Sequence, residues 1–210
     1  MLKKGEGIVL RRGVKAVLFD LDGVLVDSFE AWFHLFNHTL KYFGFKTLTR
    51  KQFRKDFGAP IESDVKRYFK GKTIYEVTDV YKKNYTKYMK HVKLMPHAKI
   101  VLEQLRYKKL KVGLITNSAK TIALALLIHF KLKRYFNVIV TQQDVKRRKP
   151  APDMILKACK ILKIKPKNTI LIGDTKNDII AGKRAGCITV GYKVKGDYRI
   201  NKLNEVTKFM

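Results

Sequence analysis

The stretch Phe19-Asp20-Leu21-Asp22-Gly23-Val24 follows the apolar run Val14 to Phe19, so two carboxylates at alternate positions end an expected buried strand. Alternate residues leaving a strand can point to the same side. Acidic residues after strands are also common in ordinary turns, and the pair alone does not separate a site from a turn. The rest of the chain has to decide between these two interpretations.

Two further apolar runs end in polar clusters. Lys111 to Ile115 leads into Thr116-Asn117-Ser118, and Thr169 to Ile172 leads into the segment from Gly173 to Asp178. Helical patterns separate the three runs, which predicts an α/β fold with a Rossmann-like parallel sheet and helices on both faces. Parallel strands all end at one edge, where such sheets bind ligands. We therefore expect the polar residues that follow the strands to converge there: Asp20, Asp22, Thr116, Asp174 and Asp178.

The converging acidic residues indicate a cation. Carboxylates that share a site repel one another and are pushed toward protonation unless a positive charge offsets the repulsion. The predicted ligands are Asp20, Asp22, Asp174 and Asp178, with no His or Cys among them. Ligands that offer only oxygen favour a hard ion, and Mg²⁺ fits best because it accepts carboxylates together with water and substrate phosphate.

With these motifs in order, the chain resembles the haloacid dehalogenase superfamily, and within it the phosphoglycolate phosphatases with a helical (C1-type) cap. Phe19 to Gly23 resembles the first motif of that family and Thr116-Asn117 the second. Lys149, in Arg148-Lys149-Pro150-Ala151-Pro152-Asp153, resembles the third, and Gly173 to Asp178 the fourth. The resemblance covers roughly residues 14 to 192.

The resemblance implies a role for each motif residue. Asp20 would attack phosphorus and form an aspartyl phosphate, and Asp22 would protonate the leaving oxygen and then deprotonate the attacking water. Asp174 would complete the protein ligands of the metal, and Asp178 would reach a metal-bound water or Lys149. The implied catalytic residues are Asp20, Asp22, Thr116 and Lys149. The implied phosphate-binding residues are Asp20, Asp22, Gly23, Thr116, Asn117 and Lys149.

The segment from residue 27 to 95 is expected to form a separate helical domain. Its apolar residues recur at helical spacing, and an excursion of about 70 residues is too long for a simple crossover. The resemblance identifies it as the cap that closes over the site. Within it, the turn Phe57-Gly58-Ala59-Pro60 is our candidate for a specificity loop. The predicted domains are thus residues 1–26 and 96–210 for the α/β phosphotransferase core, and residues 27–95 for the cap.

Local signals predict several element boundaries. Pro96 should start a helix that runs through Arg106, Ser118 should cap the next helix, and Thr175 should begin the helix that ends at Gly186. Ile8-Val9-Leu10 is either a short extra strand or part of a frayed end.

Composition narrows the class of protein. A chain of 210 residues with 46% hydrophobic residues is large enough for a packed core. With its two cysteines in no metal-binding spacing and no secretory or membrane-spanning segment evident, we expect a cytoplasmic protein with free thiols and no membrane partner. The formal charge of +29 attracts polyanions but is also typical of a lysine-biased proteome.

The sequence favours a Mg²⁺-dependent phosphatase that acts on a small phosphorylated metabolite. A phosphomutase of the β-phosphoglucomutase kind shares every core motif and stays open, as does a nucleotide or polynucleotide-end phosphatase that uses the basic surface. A dehalogenase is disfavoured because halide displacement needs no acid at the position of Asp22, and a non-catalytic interaction protein is disfavoured by the intact acid pair. The chain is expected to be a monomer or homodimer.

Overall fold

The structure is a computed structural model that describes residues 13–209, so the possible strand at Ile8 to Leu10 lies outside the described residues. The chain divides into two compact units. One consists of the described residues up to Val26 together with those from Leu94 onward, and the other is Asp27–Lys93.

The first unit is built on a parallel sheet of six strands in the order β5-β4-β1-β6-β7-β8. Its strands are β1 (Ala16–Phe19), β4 (Lys111–Ile115), β5 (Val138–Val140), β6 (Thr169–Gly173), β7 (Ile188–Tyr192) and β8 (Tyr198–Ile200). Ala16 of β1 is in register with Lys111 of β4 on one side and with Thr169 of β6 on the other. After β1 the chain adds β4 and β5 on one side and the remaining strands on the other, so β1 is the topological switch point where open α/β sheets bind ligands.

Helices cover the sheet because its strands are apolar on both faces. All four residues of β1 are fully buried, as expected for a central parallel strand. Four helices follow strands or precede them: α5 (Ala98–Tyr107), α6 (Lys120–His129), α7 (Asp153–Leu162) and α8 (Lys176–Ala185). Leu18, Ile115 and Leu171 form a core cluster with residues of α7 and α8 on one face, and α5 packs on β4 and on the 3₁₀ segment Leu203–Phe209. The predicted α/β class is confirmed.

The second unit is helical, with α1 (Phe29–Tyr42), α2 (Arg50–Asp56), α3 (Ile61–Tyr68) and α4 (Ile74–Tyr88). Two short strands, β2 (Val26–Asp27) and β3 (Lys93–Leu94), pair where the chain enters and leaves this unit. Aromatic rings fill its interior, and the ring centroid of Phe53 lies 5.1 Å from that of Phe36. Thr49 caps α2 through a reciprocal pair of hydrogen bonds with Gln52.

Two predicted helix starts are corrected by the structure. The helix expected from Pro96 begins two residues later, after His97, which has a left-handed backbone. Ser118 does not cap α6, because Ala119 occupies the N-cap position without a side-chain hydrogen bond. The hydroxyl of Ser118 instead donates a hydrogen bond to the carboxylate of Asp22. Within residues 13–209, none of the helices is both long and apolar enough to cross a membrane.

Candidate active site

The carboxyl ends of β1, β4 and β6 place the predicted acidic and polar side chains within one small region of the first unit. Asp20 follows β1, Asp174 follows β6, and Asp178 lies in the first turn of α8. One ligand oxygen from each of these three carboxylates lies within 4.8 Å of the other two. All three come from segments that are far apart in sequence, and the parallel sheet brings them together.

Lys149 is the buried cation of this cluster. Its Nζ lies 2.8 Å from Oδ1 of Asp20 and 2.6 Å from Oδ1 of Asp178, and its side chain is only 3% exposed. Burial by itself lowers the pKa of Lys149, but the facing charges of Asp178 and Asp20 more than offset this, so the pKa is raised and the amine is held in its charged form.

Asn117 fixes the backbone that carries this lysine. Its side-chain amide donates to the Lys149 carbonyl at 3.3 Å, and its side-chain carbonyl accepts from the Lys149 N–H at 3.2 Å. The phosphate contact predicted for the backbone beside Asn117 stays a prediction, and it is compatible with a side chain that pairs with main-chain atoms of Lys149. This pairing sets the position from which the ammonium group reaches Asp20.

Asp178 is held by a capping box at the start of α8. Its Oδ2 accepts hydrogen bonds from the N–H and the hydroxyl of Thr175, while its Oδ1 faces Lys149. Thr175 is the N-cap residue, as the sequence predicted. Both oxygens of Asp178 thus have donors, and its carboxylate lies directly against the ammonium group of Lys149.

Asp174 is the carboxylate with a spare oxygen. Its Oδ1 is buried and has no hydrogen-bond partner among the described residues. Burial raises the pKa of Asp174 to about 7, and the neighbouring charge of Asp178 adds to the effect. Burial also raises the pKa of Asp20, and the three other carboxylates act in the same direction, against Lys149. A buried oxygen without a donor, among crowded carboxylates, fits a hard divalent cation.

Gly23 makes room for this arrangement. A Cβ atom on Gly23 would lie 2.0 Å from Oδ2 of Asp174, and the residue has a left-handed backbone with φ of +80°. Its N–H donates to the carbonyl of Val26 at 2.7 Å. The first motif therefore requires glycine for space and conformation, and the predicted phosphate contact of Gly23 stays a prediction.

Thr116 and Ser118 follow β4 at the same edge. The hydroxyl oxygen of Thr116 accepts from the Ser118 N–H at 3.0 Å, which leaves the Thr116 hydroxyl proton available to a ligand. The hydroxyl of Ser118 donates to Oδ2 of Asp22 at 2.7 Å. This second contact was not predictable from sequence spacing, since its partners are 96 residues apart. Asp22 is outside the group of three convergent carboxylates.

The chain is similar to known proteins over most of its length. The family model for haloacid dehalogenase-like hydrolases matches residues 17–192. The phosphoglycolate phosphatase of Aquifex aeolicus is 30% identical over 206 residues, covering 94% of this chain and 97% of that protein. The pyrophosphatase PpaX of Halalkalibacterium halodurans is 32% identical over 187 residues, covering 88% and 86%.

The chain is also similar in structure to a solved hydrolase. The structure of a haloacid dehalogenase-like family hydrolase from Streptococcus pneumoniae has a TM-score of 0.82 and 25% sequence identity. The similarity covers 93% of this chain and 98% of that one.

Proposed function

Because the chain belongs to the haloacid dehalogenase-like hydrolases, we propose that it is a Mg²⁺-dependent phosphatase that acts through an aspartyl phosphate on Asp20. The family match confirms the predicted family and the predicted enzyme class, a hydrolase, and the named relatives act on phosphorylated compounds. The metal, the intermediate and the substrate are the finer parts of the proposal.

The observation that carries the proposal is the buried contact between Lys149 and Asp20, 2.8 Å apart, beside two more carboxylates. An aspartate kept only for stability would not be packed against Asp174 and Asp178, since their repulsion is costly. The arrangement suits an enzyme that holds an anionic phosphoryl group between a lysine and a metal. For this reaction the charge of the group in transit must be neutralised, and positioning supplies most of the rest.

Mg²⁺ would be held by Asp20, by the free oxygen of Asp174, and by Asp178 directly or through water. When bound, it would neutralise carboxylate and phosphoryl oxygens, which is the chemistry that divalent ions supply in phosphoryl transfer. The resemblance to the family also implies a metal contact from the backbone carbonyl of Asp22, and we include it in the proposal.

The side chains of this chain then divide the work. Asp20 forms the bond to phosphorus while the ester oxygen leaves with the proton of Asp22, and Asp22 later accepts a proton from the water that attacks the aspartyl phosphate. Ser118 holds the carboxyl group of Asp22 at the position where this proton is delivered. The Thr116 hydroxyl and the ammonium of Lys149 stabilise the negative oxygens of the phosphoryl group.

For the substrate we propose a small phosphorylated metabolite. Phosphoglycolate and inorganic pyrophosphate are the first compounds to test, because relatives that cover most of this chain are named for them. The helical unit, Asp27–Lys93, is proposed as the cap domain that selects the substrate. A phosphomutase of the β-phosphoglucomutase kind is the outcome to distinguish, since it would return the phosphoryl group to a sugar phosphate and release little inorganic phosphate.

The test compares wild type with Asp20→Asn, using release of inorganic phosphate from p-nitrophenyl phosphate with and without Mg²⁺. We expect wild-type activity that requires the metal, and loss of that activity in Asp20→Asn with an unchanged far-UV circular dichroism spectrum. Equal rates in the two proteins would exclude Asp20 as the nucleophile. Little phosphate release from every metabolite tested, with phosphoryl exchange between two positions of a sugar phosphate, would favour the mutase.

A further inference from the structure

The edge of the sheet opposite the candidate active site is formed by the loops that lead into the strands. Hydrogen bonds tie these loops together. The N–H of Lys111 donates to the carbonyl of Lys15 at 3.0 Å, and the N–H of Lys15 donates to the carbonyl of Asn168 at 2.9 Å. The side chain of Asn137 accepts from the N–H of Val112 at 2.9 Å. Residues 131–137, 108–111, 13–15 and 163–168 therefore lie side by side, in the order of strands β5, β4, β1 and β6.

These four loops are basic throughout, and we call them the basic edge. They contain no Asp or Glu. Their basic side chains are all exposed: Lys15, Lys108, Lys109, Lys111, Lys131, Lys133, Arg134, Lys163, Lys165 and Lys167. Among the described residues, Glu103 lies beside these loops, where its carboxylate accepts a hydrogen bond from the hydroxyl of Tyr135 at 2.7 Å.

The uneven distribution of acidic residues shows that the basic edge is more than the average charge of the chain. In the same unit, Asp20, Asp22, Asp174 and Asp178 lie at the carboxyl end of the strands, and Asp144 and Asp153 follow β5 at that end. Asp197 lies away from the four loops, where it accepts from Thr189 and pairs with Lys183. A lysine-rich composition alone would leave the acidic residues scattered, whereas here the carboxyl edge of the sheet has most of the described acidic residues of this unit and the four loops of the basic edge have none.

The shape of the basic edge favours a linear polyanion. Neighbouring strands in a sheet lie ~4.8 Å apart, so four adjacent loops form a row about 14 Å long. That length matches about four nucleotides of a stacked strand, for which the rise is ~3.4 Å per nucleotide as in one strand of duplex DNA. Tyr107, the last residue of α5, is 89% exposed and directly precedes Lys108 and Lys109. Exposed aromatic rings beside cations are the usual platform for unpaired bases.

We propose that the basic edge binds single-stranded nucleic acid, with its lysines on the phosphates and a base stacked on Tyr107. This surface lies at the opposite end of the strands from Asp20, so an occupied basic edge leaves the carboxyl edge accessible. The proposal does not depend on the phosphatase reaction, because none of its residues belongs to the candidate active site.

The test measures fluorescence anisotropy of a fluorescein-labelled oligouridylate of about 20 nucleotides with the full-length protein at several KCl concentrations. The variant is the triple substitution Lys111→Glu, Lys133→Glu and Lys167→Glu, which changes one lysine in each of three loops. The matched control is Lys51→Glu, Lys66→Glu and Lys70→Glu in the helical unit, where all three lysines are also exposed and the net charge changes equally.

We expect wild-type affinity to fall log-linearly with salt. The basic-edge variant should bind at least tenfold more weakly, and its slope should be smaller by about 2, because each phosphate contact of a single strand contributes ~0.7. The control should change the affinity by less than threefold. Tyr107→Ala should weaken binding about tenfold without changing the slope, since stacking involves no counterions.

Three results would overturn the proposal. Equal losses in the variant and the control would show attraction to net charge alone, and no measurable binding by wild type at low salt would remove the surface. Binding to phosphatidylserine vesicles without binding to oligouridylate would assign the basic edge to a membrane instead. Release of phosphate from p-nitrophenyl phosphate should be unchanged in the basic-edge variant and in Tyr107→Ala, which separates this proposal from the proposed function, and the circular dichroism spectrum should be unchanged in all variants.

Discussion

Replacing Lys149 with methionine removes the cation that is shared by two buried carboxylates. The Lys149 ammonium lies 2.8 Å from Asp20 and 2.6 Å from Asp178, and the side chains of all three residues are at most 9% exposed. Methionine fills a similar volume, so the loss is mainly electrostatic. Removing one partner of a buried ion pair typically costs ~3–5 kcal/mol, because the remaining charge is left uncompensated.

We therefore expect Lys149→Met to lower the free energy of unfolding by about 3–5 kcal/mol at neutral pH without Mg²⁺. For a domain of this size, each kcal/mol shifts the melting temperature by ~2–4 °C, which gives a drop of roughly 6–20 °C. The assay is thermal unfolding followed by far-UV circular dichroism. Mg²⁺ should raise the melting temperature of the variant more than that of wild type, because the carboxylates that remain have lost their other cation.

The matched control is Lys120→Met. The Lys120 side chain is 57% exposed, and its Nζ lies 4.0 Å from Oδ1 of Asp144. Exposed pairs of this kind contribute ~0–1 kcal/mol. If Lys149→Met melted within a degree or two of this control, the reasoning about the buried cluster would be wrong. An equal gain from Mg²⁺ in wild type and Lys149→Met would contradict the proposed metal position.

Two further predictions concern single side chains. Ser118→Ala removes the hydrogen bond to Asp22, and a bond to a charged partner contributes ~1.5–3 kcal/mol. We expect kcat for p-nitrophenyl phosphate to fall at least roughly tenfold with little change in KM, and the exposed control Ser63→Ala to leave both unchanged. A change in KM alone for Ser118→Ala would contradict the proposed role of Ser118 in positioning Asp22. Burial, aided by Asp56, raises the pKa of Asp64 from 3.8 to about 7, so its stabilising contribution is complete below pH ~4 and is lost as pH rises through about 7. Between pH 5 and pH 7.5, the unfolding free energy of wild type should fall by ~2–4 kcal/mol more than that of Asp64→Asn, as measured by urea unfolding at both pH values. An equal pH dependence in the two proteins would show that the pKa of Asp64 is not raised.

The sequence was sufficient to predict the parallel sheet and the positions of the residues that directly follow its strands. Three apolar runs, each followed by polar residues and separated by helical patterns, predicted both the parallel sheet and the edge where Asp20, Asp174 and Asp178 meet. That inference works because parallel topology forces distant strand ends to one edge, whatever the details of packing.

Contacts that side chains make between different loops could not be predicted from the sequence. Ser118 was predicted to cap α6 because serine is a common N-cap residue, but the Asp22 carboxylate is a charged acceptor and takes its hydroxyl. Asn117 likewise pairs with the backbone of Lys149, on a loop 32 residues away. Sequence spacing carries no information on such pairs, since they depend on how loops meet above the sheet.

The basic edge could not be recognised from composition. Lysines are spread evenly along the chain, and each basic loop looks like an ordinary solvated turn. Only the strand order β5-β4-β1-β6 shows that four such loops are neighbours. The sequence alone shows the charge of +29 only as a global property, whereas the fold brings together four neighbouring loops that have many cations and no carboxylate.

The proposed covalent mechanism requires that Asp20 becomes phosphorylated during turnover. The decisive measurement is a rapid acid quench of the enzyme during turnover of a ³²P-labelled phosphate ester with Mg²⁺, followed by tryptic digestion and mass spectrometry. We expect label in the peptide of residues 16–41, bound to Asp20 and absent from Asp20→Asn. Turnover without a labelled protein at any quench time, or label on another residue such as Asp178, would contradict the covalent mechanism.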